Sequence, residues 1–204
     1  IQHSDNWPTY RHDPARSGFT AASVAADLEQ AWQTSLGGRL SSVVIADGRL
    51  FVAAVDRHTV YALDAESGRK LWSYTTGGRV DSPPTIHQEL VLFGCADGWV
   101  YCLRATDGQL AWRFRGALEE RKLASYGQLE SVWPIHGSVL VRDGALYCVA
   151  GRSAFLDGGM RLLKLNPRTG EKLAETVLDD KDPGTGKDVQ QNIKGPGHTW
   201  GLTM

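Results

Sequence analysis

The chain is short of net charge, of pairable cysteines and of long apolar runs, and each shortage removes a class of function. Lys plus Arg number 22 against 23 Asp plus Glu, a formal charge of -1 at pH 7. No excess field exists to attract nucleic acid or an anionic membrane. The three cysteines, Cys95, Cys102 and Cys148, cannot all pair within the chain, and none lies in a Cys-x-x-Cys or Cys/His metal spacing. They read as small buried hydrophobes; Cys95 and Cys102 flank one expected hairpin and can at most meet diagonally across it. No apolar run approaches the roughly 20 residues of a spanning helix, and Ile1-Gln2-His3-Ser4-Asp5 lacks the basic-then-apolar pattern of a signal peptide. Helical periodicity is missing as well, which directs the reading towards an all-β chain.

Tryptophan, by contrast, is abundant: there are seven in 204 residues, and Trp32, Trp72 and Trp112 recur at a spacing of 40. Displacement by that period superimposes Gly37-Gly38-Arg39 on Gly77-Gly78-Arg79, Ser42 on Ser82, Leu50 on Leu90, Val60-Tyr61 on Val100-Tyr101, and Gly68 on Gly108. A third copy follows an insertion, since Leu165-Asn166-Pro167-Arg168-Thr169-Gly170 tracks Leu63-Asp64-Ala65-Glu66-Ser67-Gly68, with Ala174 standing where the tryptophan belongs. A fixed period of this length is the mark of a repeat architecture.

Turn dipeptides cut each period into four short β-rich runs. Asp47-Gly48, Asp97-Gly98 and Asp143-Gly144 suit hairpins, and Ser67-Gly68, Asp107-Gly108 and Thr169-Gly170 suit tight turns. The first unit takes 41 to 46, 49 to 55, 59 to 64 and 70 to 75; the second repeats that layout 40 residues on; the third takes 137 to 142, 145 to 150, 161 to 166 and 172 to 178. Such sheets, apolar on both faces, are stable only when stacked on copies of themselves. Radial stacking predicts an all-β fold, a β-propeller fragment of about three four-stranded antiparallel blades. The expected layout is a lead-in over 1-28, a closing strand over 29-35, blades over about 37-76, 77-116 and 131-178, and a polar loop or tail over 179-204. Trp32, Trp72 and Trp112 are then structural, each indole bridging to a neighbouring blade while its N–H finds a backbone acceptor.

The runs Val60-Tyr61-Ala62-Leu63-Asp64-Ala65-Glu66-Ser67-Gly68-Arg69-Lys70-Leu71-Trp72 and Val100-Tyr101-Cys102-Leu103-Arg104-Ala105-Thr106-Asp107-Gly108-Gln109-Leu110-Ala111-Trp112 resemble the PQQ-like propeller repeat, over residues 28 to 178. Trp7-Pro8-Thr9-Tyr10-Arg11-His12-Asp13-Pro14 resembles the lead-in of extracytoplasmic bacterial members, which implies a periplasmic or extracytoplasmic location and places Trp32 in the closing blade. The resemblance also implies a ring of more blades than this chain supplies, so missing blades or self-association are expected to cover the open sheet faces. It includes quinone-dependent alcohol dehydrogenases as well as outer-membrane assembly scaffolds, so the repeat names the fold and not the chemistry. The quinoproteins resemble one another in an adjacent Cys-Cys pair and a calcium set; this chain has no Cys-Cys, and no metal ligands are assigned.

Two loops of the third unit, 115 to 136 and 151 to 160, are longer than their counterparts and emerge on one rim, where binding groups collect on a rigid scaffold. The ligand-binding candidates there are Glu130, Trp133, His136, Arg152, Ser153 and Asp157, with Asp81 from a shorter loop. His136 precedes an innermost strand and is either a base facing the channel or a histidine satisfied by a loop carbonyl. Arg152 with Asp157 is either a clamp for a carboxylate or sugar hydroxyls, or an internal ion pair pinning the loop. Trp7, Trp133 and Trp200 lie off the register and serve either packing or stacking on sugar rings. Pro183-Gly184-Thr185-Gly186-Lys187-Asp188 lacks the upstream glycine and the final Ser or Thr of a phosphate loop. The leading expectation is a non-catalytic binding or scaffold propeller with a protein or carbohydrate partner and no cofactor. The alternative is part of a quinone-dependent dehydrogenase or sugar-processing enzyme using PQQ and calcium.

Overall fold

The computed structural model describes residues 6–182 and 184–187. The described residues form three four-stranded antiparallel meanders and one two-stranded hairpin. The first blade comprises β1 (Val44–Ala46), β2 (Arg49–Ala54), β3 (Thr59–Asp64) and β4 (Lys70–Thr75). The second comprises β5 (Thr85–His87), β6 (Leu90–Gly94), β7 (Trp99–Arg104) and β8 (Leu110–Arg115). Between blades two and three a hairpin pairs β9 (Lys122–Ser125) with β10 (Gln128–Ser131). The third blade comprises β11 (Leu140–Arg142), β12 (Ala145–Ala150), β13 (Met160–Leu165) and β14 (Lys172–Leu178). The helical content of the described residues is one 3-10 turn, Val55–Arg57.

Alternation along the strands of the second blade shows why the sheets must stack. Val91, Phe93, Tyr101 and Leu103 point into a core shared with Val44, Phe51, Val60 and Trp72 of the first blade. Their neighbours in sequence, Leu92, Val100 and Cys102, point the other way, into a core shared with Val139, Leu146, Leu163 and Leu165 of the third. A strand reverses its side chains at every residue, so a blade sandwiched on both faces reads as a continuous apolar run. Cys95 falls in the first core and Cys102 in the second, on opposite faces of one sheet, and all three cysteines are free and buried.

The indoles join successive blades. Trp72 Nε1 donates to Ala105 O at 2.9 Å, Trp32 Nε1 to Ala65 O at 3.0 Å, and Trp112 Nε1 to Pro167 O at 3.1 Å. The rings cover glycines: a Cβ on Gly108 would stand 2.6 Å from Trp72 Cδ2, and one on Gly170 2.6 Å from Trp112 Cε3. In the third blade Ala174 pairs with Lys164 as Trp72 pairs with Ala62, so alanine occupies the indole's position there. Residues 29-35, expected as a closing strand, form no strand among the described residues; their contacts are side chains, with Trp32 on Ala65 and Thr34 Oγ1 on Gly68 O at 2.7 Å.

The lead-in runs across the inner strands. Trp7 exchanges backbone hydrogen bonds with Ile45 of β1 at 2.8 and 2.9 Å, and Ile86 N–H of β5 donates to Pro8 O at 2.7 Å. Thr9 and Thr85 hydroxyls meet at 2.9 Å, and Thr85 donates onward to Val139 O at 2.9 Å. Trp200 and most of the expected tail, residue 183 and residues 188–204, lie outside the described residues.

Candidate functional site

In each blade the chain enters from the outermost strand of the blade before, and the 2–3 connection returns beside it. Thr76 N–H donates to His58 O at 2.8 Å and Gly116 N–H to Gly98 O at 2.9 Å, so both kinds of loop share a rim. Arg39, Arg79 and Pro134 occupy one equivalent place, since their carbonyls accept from Val55, Ala96 and Gly151 at the ends of β2, β6 and β12. Two residues further along stand Ser41, Asp81 and His136, which therefore line up beside one another where the inner strands begin.

A charged network grows from this alignment. His136 Nδ1 and Asp81 Oδ2 lie 2.7 Å apart, joining two blades. Arg79, 4% exposed, reaches Asp81 at 3.3 Å and Glu130 Oε2 at 2.7 Å. Glu130, 3% exposed, gives its other oxygen to Arg152 Nη2 at 2.7 Å, and His136 Nε2 stands 3.9 Å away. Arg152 donates further to Ser131 O at 3.1 Å. Burial alone would raise the Asp81 carboxyl, but the His136 hydrogen bond and the Arg79 charge outweigh it and hold the group below the ordinary aspartate value. Four candidates, Asp81, Glu130, His136 and Arg152, are thus brought together.

The expected partnership of Arg152 with Asp157 is corrected by these contacts. Arg152 turns to Glu130, and Asp157 pairs with Arg121. Asp157 sits at a left-handed backbone position followed by Gly158 and Gly159, also at positive φ, and that turn carries its carboxylate out of the reach of Arg152. Trp133 is buried at 3%, with its Nε1–H on Asp157 O at 2.8 Å and the Arg121 guanidinium 5.0 Å from its ring centroid. It packs and does not offer a face for a sugar. Ser153 Oγ accepts from Phe155 N–H at 3.1 Å and serves the loop's own turn.

The region expected as a loop over 115 to 136 contains the β9–β10 hairpin, and Arg79 fastens it. Besides Glu130, Arg79 donates to Ser125 O at 3.3 Å and lies 5.0 Å from the Tyr126 ring centroid. His58 Nε2 meets Gln128 Oε1 at 2.7 Å, a second attachment from the first blade. Around these pins stand large exposed apolar side chains: Leu118, Tyr126, Leu129, Phe155 and Leu156, with Tyr126 90% exposed. Sequence reasoning missed Arg79; the one available signal for it was its match to Arg39 in the repeat.

The chemistry of the donors speaks against calcium at this face. Both Glu130 oxygens are taken by guanidinium groups and Asp81 by Arg79 and His136, an arrangement that repels a cation. Cys95 and Cys102 cannot supply the cysteine pair of the quinoproteins either, being on opposite faces. The residues here do not fit PQQ with calcium.

Comparison with known proteins gives the following. Residues 19–196 match a PQQ-repeat family model described as outer membrane protein assembly factor BamB. The chain is 30% identical over 152 residues to the outer membrane protein assembly factor BamB of Burkholderia pseudomallei, covering 74% of this chain and 35% of that one. It is 26% identical to the quinoprotein ethanol dehydrogenase of Pseudomonas aeruginosa, covering 97% and 36%. The chain therefore spans about a third of the length of these curated relatives. Its fold resembles the quinohaemoprotein alcohol dehydrogenases of Pseudomonas putida (TM-score 0.74, 20% identity, 89% of this chain and 28% of that one) and Comamonas testosteroni (0.69, 22%, 88% and 28%).

Proposed function

Because the chain belongs to the PQQ-repeat β-propeller family described as outer membrane protein assembly factor BamB, we propose that it is a non-catalytic scaffold propeller of the bacterial cell envelope. Its enlarged rim engages a protein partner. The observation that carries this reading is the pairing of a rigid base with a sticky surface. The Arg79–Glu130–Arg152 contacts fix the β9–β10 hairpin to the second and third blades, and Tyr126 and Leu129 on the hairpin and Phe155 and Leu156 on the loop between β12 and β13 stand at least 60% exposed. Exposed apolar side chains concentrated on one pinned face are what a protein-binding surface requires. The charged groups of the rim are spent on one another, which suits a brace better than a general base. Extracytoplasmic placement and assembly work follow from the relatives' names and are part of the same proposal.

Photocrosslinking tests it. A photoreactive residue at Tyr126, Leu129 or Phe155 should give one recurrent protein adduct in envelope preparations, and the same residue at Asp143, on the opposite rim, should not. Equal labelling from both rims would remove the reading. The enzyme alternative draws on the dehydrogenase similarity, which extends over 97% of the chain. PQQ with calcium should then raise the melting temperature of the protein, and no shift is expected.

A further inference from the structure

A second surface, lined by none of that rim's exposed apolar set, is a cleft of about 450 Å³ between the outermost strands of blades one and two, closed at the rim end by the segment that leads into β9. Tyr74 of β4 forms one wall, Arg113 and Arg115 of β8 the other, and Trp99, Glu120 and Lys122 complete it. Trp112 and Phe114 of β8 turn towards the third blade, so the alternation puts Arg113 and Arg115 together on the cleft side. Arg113 is held flat over Trp99, 4.3 Å from the ring centroid. Neither arginine is ion-paired among the described residues, nor is Lys122, whereas Arg121 is committed to Asp157 and Asp97 to the Tyr101 hydroxyl and Trp99 N–H. Arg113, Arg115 and Lys122 thus face Glu120, with Glu119 beside it 3.9 Å from Arg121.

The backbone of β8 is available as well. Its one strand partner among the described residues is β7. Gly116 N–H points inward to Gly98 O, and an antiparallel ladder alternates, so the N–H and C=O groups of Arg113 and Arg115 point outward, unpaired. We propose that β8 is a docking edge for an extended acidic segment of a partner protein, which adds as a fifth strand and sets carboxylates at every second residue against Arg113 and Arg115. Main-chain hydrogen bonds hold such a segment and alternate side chains select it. Basic residues on an edge also discourage self-pairing, and that protective role alone predicts no selectivity for spacing. The cleft borders the enlarged rim through Glu120, Lys122 and Ser131, but none of that rim's exposed apolar set lines it, and the docking edge does not depend on the function proposed for that set.

The test uses the full chain and two fluorescein-labelled octapeptides of equal composition, one alternating Glu and Thr, the other with four Glu followed by four Thr. Anisotropy should show the alternating peptide binding about tenfold more tightly or better, and Arg113→Glu with Arg115→Glu should abolish that preference. N-methylation of the outward-pairing amides of the alternating peptide should weaken it comparably. Equal binding of the two peptides, or retention by the N-methylated form, would show bare charge attraction and overturn the proposal. So would an unchanged preference in the double variant, whose fold is checked by its circular dichroism.

Discussion

Removal of the Glu130 carboxylate should be the most costly single change in the charged network. In Glu130→Ala, Arg79 stays 4% exposed and loses its 2.7 Å partner, while Arg152, with a side chain 28% exposed, can turn to water. Breaking a buried pair by deleting one member costs about 3–5 kcal/mol, because the survivor is left charged in a poor solvent. For a chain of this size that is a fall of about 6–20 °C in melting temperature. Replacing both Arg79 and Glu130 with methionine should recover most of the loss, since the two most deeply buried charges then go together, while Arg152 can reach water and Asp81 keeps His136; the double-variant cycle measures the coupling directly. Chemical denaturation followed by circular dichroism reads all three proteins. The loss should persist at 0.5 M salt, unlike that from Arg121→Ala, whose pair with Asp157 is half exposed. Should Glu130→Ala lie within 1 kcal/mol of the parent, or should the double variant be as unstable as the single, the network is not the pin it is taken for.

Other outcomes follow from single contacts. Gly108→Val should destabilise by several kcal/mol on the same assay, because φ is +71° and the new Cβ would press on Trp72; Gly48→Ala, with open space around it, should cost only about 1 kcal/mol. Asp81 has its folded pKa below the ordinary 3.8, so its ionised form favours the fold above that pH and the contribution is lost as acid titrates it; Asp81→Asn should flatten the stability profile below about pH 4. Burial pushes the Cys102 and Cys148 thiols up to about 12, so native protein should resist a maleimide at pH 7.5 and label three thiols on unfolding.

Much of this architecture is legible in the residues because local and global signals agree. Asp47-Gly48 and Asp143-Gly144 adopt the two positive-φ positions that a two-residue hairpin turn demands, and the strands fall where those dipeptides place them. The β9–β10 hairpin was hidden for the same reason: its turn is Tyr126-Gly127, with φ of 51° and 73°, and tyrosine is not a residue that announces such a turn. At the rim, the topology brought Asp81, Glu130, His136 and Arg152 together as the shared-rim rule implies. Pairing was the illegible part. Arg152 and Asp157 are neighbours in sequence, whereas the actual partners, Glu130 and Arg121, come from the hairpin whose existence the sequence concealed.

The forward reach of the indoles carries a consequence for synthesis. Trp72 hands its N–H to a carbonyl 33 residues downstream, and Trp112 to one 55 residues downstream. A ribosome must therefore translate most of the next sheet before the previous one can shut, and a nascent chain always trails one unfinished, greasy surface. Ala174 breaks that relay within the described residues: the third sheet extends no indole from that position, although Leu162, Leu173, Val177 and Leu178 still stand exposed on it.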